Sequence, residues 1–306
     1  MYLYHFGMQR LPFGLTPDTA YFCALPGHRA ALNVLHVALE SGEGFVKITG
    51  EVGTGKTLLC RKLLVDLDAL PRAQRPVCAY IPNPVLTPHE LRIALAHEIG
   101  MDLGDGESEA LLARKLELRL LKIARRGNPV ILIIDEAQAL PDATLETLRL
   151  LSNLETAQYK LLQIVLFGQP ELNRRLYSDQ FRQLRQRIAF AYHLPRLSRT
   201  QMRTYLSHRV RLAGCRRVPF SAAALAAIAL CSRGIPRLGH VLAHKALIAA
   251  FGKGRPRAGL GAAIAAAYDT EDVRTRFTAL PRWLLAGGLG ALALGATAAV
   301  LMGGTL

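Results

Sequence analysis

Short apolar runs alternate with amphipathic stretches along residues 27–196 of the 306-residue chain. Each apolar run predicts a buried strand, and each stretch with apolar residues three or four positions apart predicts a helix. Strands that alternate with helices form parallel βαβ units. The pattern therefore predicts an α/β domain, a three-layer α/β/α sandwich around a parallel five-stranded sheet. The predicted strands are 45–49, 77–81, 130–134, 161–167 and 189–194.

Polar residues mark where several of the intervening helices begin. Thr87, Pro88 and Glu90 form a capping-box pattern, in which Thr and Glu satisfy each other's backbone N–H groups and Pro opens the helix. The predicted helices of this domain are 28–39, 58–67, 88–100, 108–126 and 142–155, with a short helical region before the arginine-rich segment 182–187.

The two flanks of this domain have a different pattern. Residues 1–26 are rich in turns and aromatic side chains, and they form a separate N-terminal segment. Residues 197–277 read as helical throughout, with helices at 199–213, 221–232, 235–251 and 258–267, and with Ser198 and Ser221 as N-caps. We expect three units: the N-terminal segment 1–26, the α/β core 27–196 and a helical lid 197–277.

No charged residue follows Arg282, and residues 283–302 are about long enough to cross a bilayer as a helix. Arg274, Arg276 and Arg282 precede this run, whereas the four residues after it are uncharged. The positive-inside rule then places the main domain in the cytoplasm and the short C-terminus on the far side, as a single-pass protein. The alternative is a soluble helix docked on the lid.

The formal net charge of +15 indicates an anionic partner: a nucleotide, a nucleic acid or the cytoplasmic face of a membrane. Charge alone does not choose among these, and a basic solvated surface is an equal alternative. The five cysteines are scattered without a C-x-x-C pair, which fits a reducing cytosol. The N-terminus lacks the pattern of a cleavable signal peptide.

A phosphate-binding pattern, G-x-x-x-x-G-K-T, follows the first predicted strand and opens a helix. Its glycines allow successive N–H groups to point at phosphate oxygens, and the helix N-terminus adds partial positive charge. Lys56 can reach the β- and γ-phosphates, and the Thr57 hydroxyl can bind Mg²⁺. The predicted nucleotide-binding residues are Gly50, Glu51, Val52, Gly53, Thr54, Gly55, Lys56, Thr57 and Leu58.

Asp135 and Glu136 end the most apolar predicted strand, where the acidic partner of a P-loop is expected. Asp135 can hold Mg²⁺, and Glu136 can polarise the attacking water. This pair favours ATP hydrolysis over nucleotide binding alone. The predicted cofactors are ATP and Mg²⁺, with Thr57 and Asp135 as the metal residues.

Three further polar residues complete the predicted site. Gln169 follows a strand whose carboxyl end borders the ligand, where it can touch the γ-phosphate or the lytic water. Arg187, with Arg185 as the second candidate, can act as an arginine finger toward a neighbouring subunit. Arg237 lies at a helix N-terminus, where its charge opposes the macrodipole unless an anion such as a bound triphosphate is near.

The chain resembles the bacterial AAA+ ATPases typified by general secretion pathway protein A, most of all the ATPases of mannose-sensitive haemagglutinin (MSHA) pilus biogenesis. The resemblance covers residues 1 to about 277. It rests on the N-terminal run through Thr19, the stretch 42–61, and the motifs at 80–84, 134–138, 167–172, 186–188 and 234–237.

This resemblance implies a P-loop NTPase fold of AAA+ type with strand order 5-1-4-3-2, an N-terminal segment near the adenine and an α-helical lid. It also supports the roles given to Lys56, Thr57, Asp135, Glu136, Gln169, Arg187 and Arg237. Family members typically continue past a membrane helix into a periplasmic peptidoglycan-binding domain. This sequence ends four residues after its apolar run, so we do not expect cell-wall binding from it.

The expected function is ATP hydrolysis by a protein anchored in the bacterial inner membrane through a transmembrane helix at 283–302. It would work as a homo-oligomeric ring or dimer with inner-membrane proteins of a type IV pilus of the MSHA kind, or of a machine like type II secretion. One alternative is a DNA-binding AAA+ ATPase of the transposition or replication-initiation kind; the membrane tail disfavours nucleic acid. The other is a slow-turnover, nucleotide-gated scaffold.

Overall fold

A computed structural model of the chain describes residues 2–104, 108–156 and 160–273. Five parallel strands form one sheet in the order β2-β3-β4-β1-β5, which is the predicted order read from the other edge. They are β1 (Phe45–Thr49), β2 (Val77–Ile81), β3 (Val130–Ile134), β4 (Leu162–Gly168) and β5 (Phe190–His193).

Twelve α-helices are present in the described ranges. They are α1 (Tyr2–His5), α2 (Pro26–Glu40), α3 (Lys56–Asp68), α4 (Pro88–Glu98), α5 (Glu109–Ala124), α6 (Asp142–Leu151), α7 (Pro170–Leu176), α8 (Arg182–Gln186), α9 (Arg199–Leu212), α10 (Ala222–Cys231), α11 (Pro236–Phe251) and α12 (Leu260–Tyr268).

Local sequence explains where most of these helices begin. Thr87 accepts the N–H of Glu90 over 3.3 Å, and the Glu90 carboxylate accepts the N–H of Thr87 over 2.7 Å, which confirms the predicted capping box. Ser198 and Ser221 cap α9 and α10 as predicted. Helix α6 ends at Leu151, four residues earlier than predicted. The chain beyond it pairs instead with the segment before β4, where the Leu154 carbonyl accepts the Leu161 N–H and Glu155 bridges to Lys160.

Alternate residues of β3 pack on opposite faces of the sheet, because side chains alternate along a strand. Leu132 belongs to the hydrophobic core under α4, α5 and α6, whereas Ile131 and Ile133 belong to the core under α2 and α3. All five residues of this strand are buried. The sheet is therefore covered on both sides, as the continuous apolar run predicts.

A third core joins the two flanks of the α/β domain. Residues 2–25, which we call the strap, cross the lid, formed by α9–α12. Buried strap side chains such as Tyr2, Phe6 and Phe13 pack into the same cluster as Leu206 and Leu242 of the lid. The Tyr2 hydroxyl also bonds to His244 Nδ1 over 2.9 Å. The strap thus supplies one side of the lid's core, beyond lying near the nucleotide site.

The predicted transmembrane run, 283–302, lies outside the described residues. Among the helices that the structure does describe, none is both long and apolar enough to span a bilayer.

Candidate nucleotide site

The P-loop connects β1 to α3 at the carboxyl edge of the sheet. Gly53 and Gly55 have φ angles of +77° and +101°, a region that side chains with a β-carbon rarely adopt. Gly55 is the N-cap of α3, so the first N–H groups of that helix face the loop. Lys56 Nζ donates to the carbonyl oxygens of Gly50 (2.8 Å) and Glu51 (3.0 Å) within the loop.

A histidine that the sequence analysis missed supports this loop from behind. His28, in the first turn of α2, is 6% exposed, and its Nε2 donates to the Thr54 carbonyl over 3.1 Å. Burial lowers the pKa of His28 and outweighs the opposite effect of that hydrogen bond, so the ring is neutral. A β-carbon on Gly55 would lie 3.1 Å from the same ring nitrogen. Nothing in the local sequence around His28 indicates this contact.

The two acidic residues follow β3, which β4 separates from β1, and these parallel strands end at the same carboxyl edge of the sheet as the P-loop. Burial raises the pKa of Asp135, and hydrogen bonds from the Thr57 hydroxyl and the Glu136 N–H act against that rise. The Thr57 hydroxyl and the Asp135 carboxylate are therefore close neighbours. Hydroxyl, carboxylate and water oxygens are the ligands that Mg²⁺ prefers, so these two residues fit the metal.

Glu136 adopts a left-handed backbone, with φ +53°. Such a conformation costs a non-glycine residue roughly 1–3 kcal/mol and clusters at functional sites. Two amides hold its side chain: Gln169 Nε2 donates to Oε2 over 3.0 Å, and Gln138 Nε2 donates to the same oxygen over 2.5 Å. Burial raises the pKa of Glu136, but these hydrogen bonds and the Lys56 charge outweigh it, and the net pKa lies below the usual range.

Gln138, at the end of the motif 134–138, is a second residue whose role emerges from its contacts. Besides holding Glu136, its Oε1 accepts the N–H of Gln169 over 3.0 Å. Its own carbonyl accepts Nη1 of Arg175 over 2.8 Å. Gln138 therefore links the Glu136 turn to the end of β4 and fixes Gln169 as well. The sequence signal for this role is the position of Gln138, two residues after the acidic pair and within one turn of it.

A cavity of about 330 Å³ extends from the P-loop between the strap and the lid. Its walls include Gly14–Asp18 of the strap, the loop and helix residues Lys56, Thr57 and Leu58, and the catalytic candidate Glu136. The lid contributes Tyr205, Arg209, Pro236, Arg237 and His240.

Arg237 and Arg187, both predicted site residues, lie in different surroundings. Arg237 lines the cavity, and its N–H donates to the Gly53 carbonyl over 3.2 Å, so the lid rests directly on the P-loop. Arg187 is not among the cavity-lining residues described, and its Nη1 donates to the Ser152 hydroxyl over 3.0 Å. Arg185 donates to the Tyr177 carbonyl over 3.1 Å.

The far wall of the cavity is a fixed hydrogen-bonded chain. Arg209 is 3% exposed, and its Nη1 lies 3.4 Å from the Tyr205 hydroxyl, which bonds to His240 Nε2 over 2.7 Å. Burial, with the nearby Arg209 charge, lowers the pKa of His240 to about 3, despite a hydrogen bond to the backbone of Gly14. A neutral His240 accepts from the Tyr205 hydroxyl, and Gly14 of the strap lines the same cavity, so the strap forms one wall.

Residues 39–176 match the family model described as AAA domain. The chain is 40% identical over 278 residues to General secretion pathway protein A of Aeromonas hydrophila. This match covers 91% of the chain and 50% of that relative, so the chain spans about half the relative's length.

Solved structures share the fold at low sequence identity. The Aeropyrum pernix ORC2 protein matches with a TM-score of 0.64 at 18% identity, over 84% of this chain and 71% of that one. CDC6P from Pyrobaculum aerophilum matches with a TM-score of 0.62 at 19% identity, over 79% of this chain and 68% of that one. The Thermotoga maritima RuvB Holliday junction branch migration motor matches with a TM-score of 0.55 at 19% identity, over 80% of this chain and 70% of that one.

The fold is thus the parallel five-stranded α/β fold of P-loop NTPases of the AAA type, and the matches support ATPase activity in this domain.

Proposed function

We propose that this chain, built on an AAA ATPase domain, hydrolyses Mg²⁺-bound ATP to assist assembly of an envelope machine from the bacterial inner membrane. The machine is a type IV pilus of the MSHA kind or an apparatus like type II secretion. The observation that carries this proposal is the 40% identity to a protein named for the general secretion pathway, over 91% of this chain.

In this proposal the P-loop N–H groups and Lys56 bind the β- and γ-phosphates of the substrate. Burial lowers the pKa of Lys56, opposed by Glu136 and Asp135. A triphosphate adds further negative charge, which favours the protonated, phosphate-binding form. Thr57 and Asp135 would hold Mg²⁺, which neutralises charge that develops on the phosphate oxygens.

Glu136 is the proposed general base. Its pKa lies below the usual range, so it is ionised at neutral pH and can accept a proton from water. Both amide donors use Oε2, which leaves Oε1 as the oxygen proposed to take that proton. In this proposal Gln169 positions the carboxylate and the water together.

Hydrolysis is proposed to occur between subunits, with Arg187 completing a neighbour's site. Arg187 is not among the described residues that line the cavity of its own chain, which supports a role in trans. A mixing experiment tests this role. Lys56→Ala and Arg187→Ala should each be inactive alone, and their mixture should regain activity, because one subunit offers an intact P-loop and the other an intact arginine. Two inactive variants that stay inactive when mixed would contradict it; Arg185→Ala serves as the second candidate.

The membrane anchor is proposed to be residues 283–302, with the ATPase domain cytoplasmic and the short C-terminus periplasmic. Cell fractionation tests this directly: the full-length chain should stay with inner membranes after an alkaline wash. Extraction into the soluble fraction would refute the anchor.

The partner can be captured with a variant that holds ATP. Glu136→Gln should bind ATP without hydrolysing it, so complexes that depend on the ATP state accumulate. Pull-down from solubilised membranes should recover inner-membrane assembly proteins with Glu136→Gln and not with Lys56→Ala, which cannot bind the phosphates. Equal recovery with both variants would show that capture is independent of nucleotide.

The net charge of +15 favours one second candidate, a DNA-binding ATPase. Solved structures with this fold include the Aeropyrum pernix ORC1 protein in complex with DNA. Retention on duplex DNA that falls steeply as salt rises would support this alternative, because phosphate contacts release counterions.

A further inference from the structure

A second cavity, of about 620 Å³, opens where the strap crosses the lid, away from the nucleotide. We call it the basic groove. Its walls are residues from 5–9 of the strap and lid residues from 214–219 and 256–257. No nucleotide-binding residue lines it, so it is separate from the ATP cavity.

Specific hydrogen bonds build the walls of the basic groove. His5 Nε2 donates to the Arg255 carbonyl over 2.9 Å, and the Gln9 N–H donates to the Ala213 carbonyl over 2.7 Å. The Cys215 thiol donates to the Phe6 carbonyl over 3.0 Å from a 6% exposed position. The groove is therefore a fixed product of strap and lid docking.

Uncompensated positive charge lines this groove. Arg216, Arg217 and Arg257 are exposed on its wall, Lys253 and Arg255 are exposed beside it, and no carboxylate is among its lining residues. None of these five cations forms an ion pair within the part of the chain that the structure describes. Neighbouring like charges repel each other, so an anion in the groove would relieve this repulsion.

Arginine side chains present forked N–H donors that match phosphate oxygens in pairs. Phosphate could come from a bilayer surface or from a nucleic acid. Sequence-tolerant binding of nucleic acid uses aromatic platforms for the bases, but the groove's Phe6 is buried and His5 packs edge-on against Phe6 and Phe251. The groove therefore offers phosphate contacts without a stacking surface.

The sequence after the lid favours the bilayer. Residues 274–282 contain three arginines and join the lid to the apolar run 283–302. Nine extended residues reach at most about 30 Å. If 283–302 spans the membrane, as proposed above, the lid is tethered within that distance of the cytoplasmic surface.

We propose that the basic groove binds the phosphate headgroups of anionic phospholipids and holds the lid against the membrane. This inference rests on the proposed membrane anchor. Helix α11 then connects two anion sites: it begins at the nucleotide cavity with Pro236 and Arg237, and it ends at Phe251, whose ring lies 5.4 Å from that of His5 beside the groove. Lipid contact and nucleotide contact are made at opposite ends of one helix.

The test uses the full-length chain in nanodiscs of phosphatidylcholine, alone or mixed with phosphatidylglycerol. Phenylglyoxal modifies accessible arginines, and peptide mass spectrometry gives the rate at each one. Modification of Arg216, Arg217 and Arg257 should slow roughly fivefold in discs with phosphatidylglycerol, since each arginine near an anionic surface contributes about 1 kcal/mol. Arg125 and Arg126, an exposed pair at the end of α5, should react equally in both discs.

Variants separate the groove from general surface charge. Arg216→Gln/Arg217→Gln should abolish the lipid-dependent protection of Arg257. Arg125→Gln/Arg126→Gln removes the same charge elsewhere and should retain that protection. Both variants should keep the ATPase activity of the unaltered protein in detergent, which shows that they fold.

Three results would overturn the proposal: equal rates at Arg216, Arg217 and Arg257 in both kinds of disc, protection of Arg257 that survives the groove substitutions, or protection by duplex DNA but not by phosphatidylglycerol. Failure of the anchor gives a different result, since the chain would not enter discs of either kind. Flotation with vesicles then tests the groove alone. Binding to phosphatidylglycerol vesicles but not to phosphatidylcholine vesicles supports the proposal, and binding to neither overturns it.

Discussion

Replacing Gly53 by alanine tests whether the lid is held directly on the P-loop. A β-carbon at Gly53 would lie 2.8 Å from Cβ of Arg237 and 3.0 Å from Cγ2 of Ile235. The backbone there has a φ of +77°, and the Gly53 carbonyl accepts the Arg237 N–H over 3.2 Å. Alanine therefore introduces both backbone strain and a steric overlap with the start of α11.

The size of the effect follows from these contacts. A left-handed conformation costs a residue with a β-carbon roughly 1–2 kcal/mol. Carbon atoms pack at about 3.5–4.0 Å, so relief of the overlap moves the start of α11 away from the loop by up to about 1 Å. That movement lengthens the Arg237–Gly53 hydrogen bond, and losing a hydrogen bond costs about 1 kcal/mol. We expect the free energy of unfolding to fall by about 2–3 kcal/mol.

ATP binding should weaken as well, because Arg237 moves with the helix. A hydrogen bond from a charged group contributes about 1.5–3 kcal/mol, and 1.4 kcal/mol corresponds to a tenfold change in affinity. We therefore expect ATP affinity to fall about tenfold or more.

Gly127→Ala is a matched control, because Gly127 has a φ of +79° and no atom within 4 Å of an added β-carbon. Urea unfolding and titration with a fluorescent ATP analogue measure the two effects. The control should lose about 1–2 kcal/mol of stability from strain alone and bind ATP normally. Equal stability losses in both variants, with unchanged affinity in Gly53→Ala, would refute the proposed contact.

Three further predictions concern titratable groups. Glu136→Gln should reduce turnover by about 10²–10⁴-fold with ATP binding retained. Glu171 is an exposed carboxylate nearby, and Glu171→Gln should change neither turnover nor ATP binding. Normal turnover in Glu136→Gln would exclude Glu136 as the base. Gln138→Ala removes one of the amides that lower the pKa of Glu136, so the acidic limb of the rate–pH profile should shift to higher pH. An unmoved limb would contradict this effect of Gln138 on Glu136. His240 has a folded pKa of about 3, below its unfolded value, so its stabilising contribution is present above pH 6.5 and is lost as pH falls. Unfolding free energy should drop by about 2 kcal/mol from pH 7 to 5 through this group. Urea unfolding of His240→Gln at both pH values should show that this fall in unfolding free energy is lost. An unchanged fall would show that a group other than His240 takes up the proton.

Features that depend on neighbouring residues in the sequence could be predicted. The apolar runs located all five strands to within one residue at every end. For β3 and β4, which are buried at every position, the continuous apolar run itself marks the limits of the strand. The capping box at Thr87 and the N-cap at Ser198, both predicted, are local as well. The strand order came from family resemblance, since periodicity does not fix the order in which parallel strands pair.

Features that depend on distant contacts could not be predicted. His28 contacts Thr54 across 26 positions, and Tyr205 contacts His240 across 35. Nothing local distinguishes these residues from ordinary helix residues. The P-loop motif predicted the phosphate-binding residues, but the wall that the strap and lid add to the site became visible only in three dimensions.

The shared core of strap and lid has a consequence for synthesis on the ribosome. Tyr2 meets His244 across 242 positions, so the apolar strap emerges long before the helices that bury it. At about 5–20 residues per second, that interval is roughly 10–50 s. Throughout it, Tyr2, Phe6 and Phe13 lack the partners they have in the folded protein. The newly made chain is therefore exposed to aggregation at this segment, which makes the strap a natural site for chaperone binding until the lid is complete.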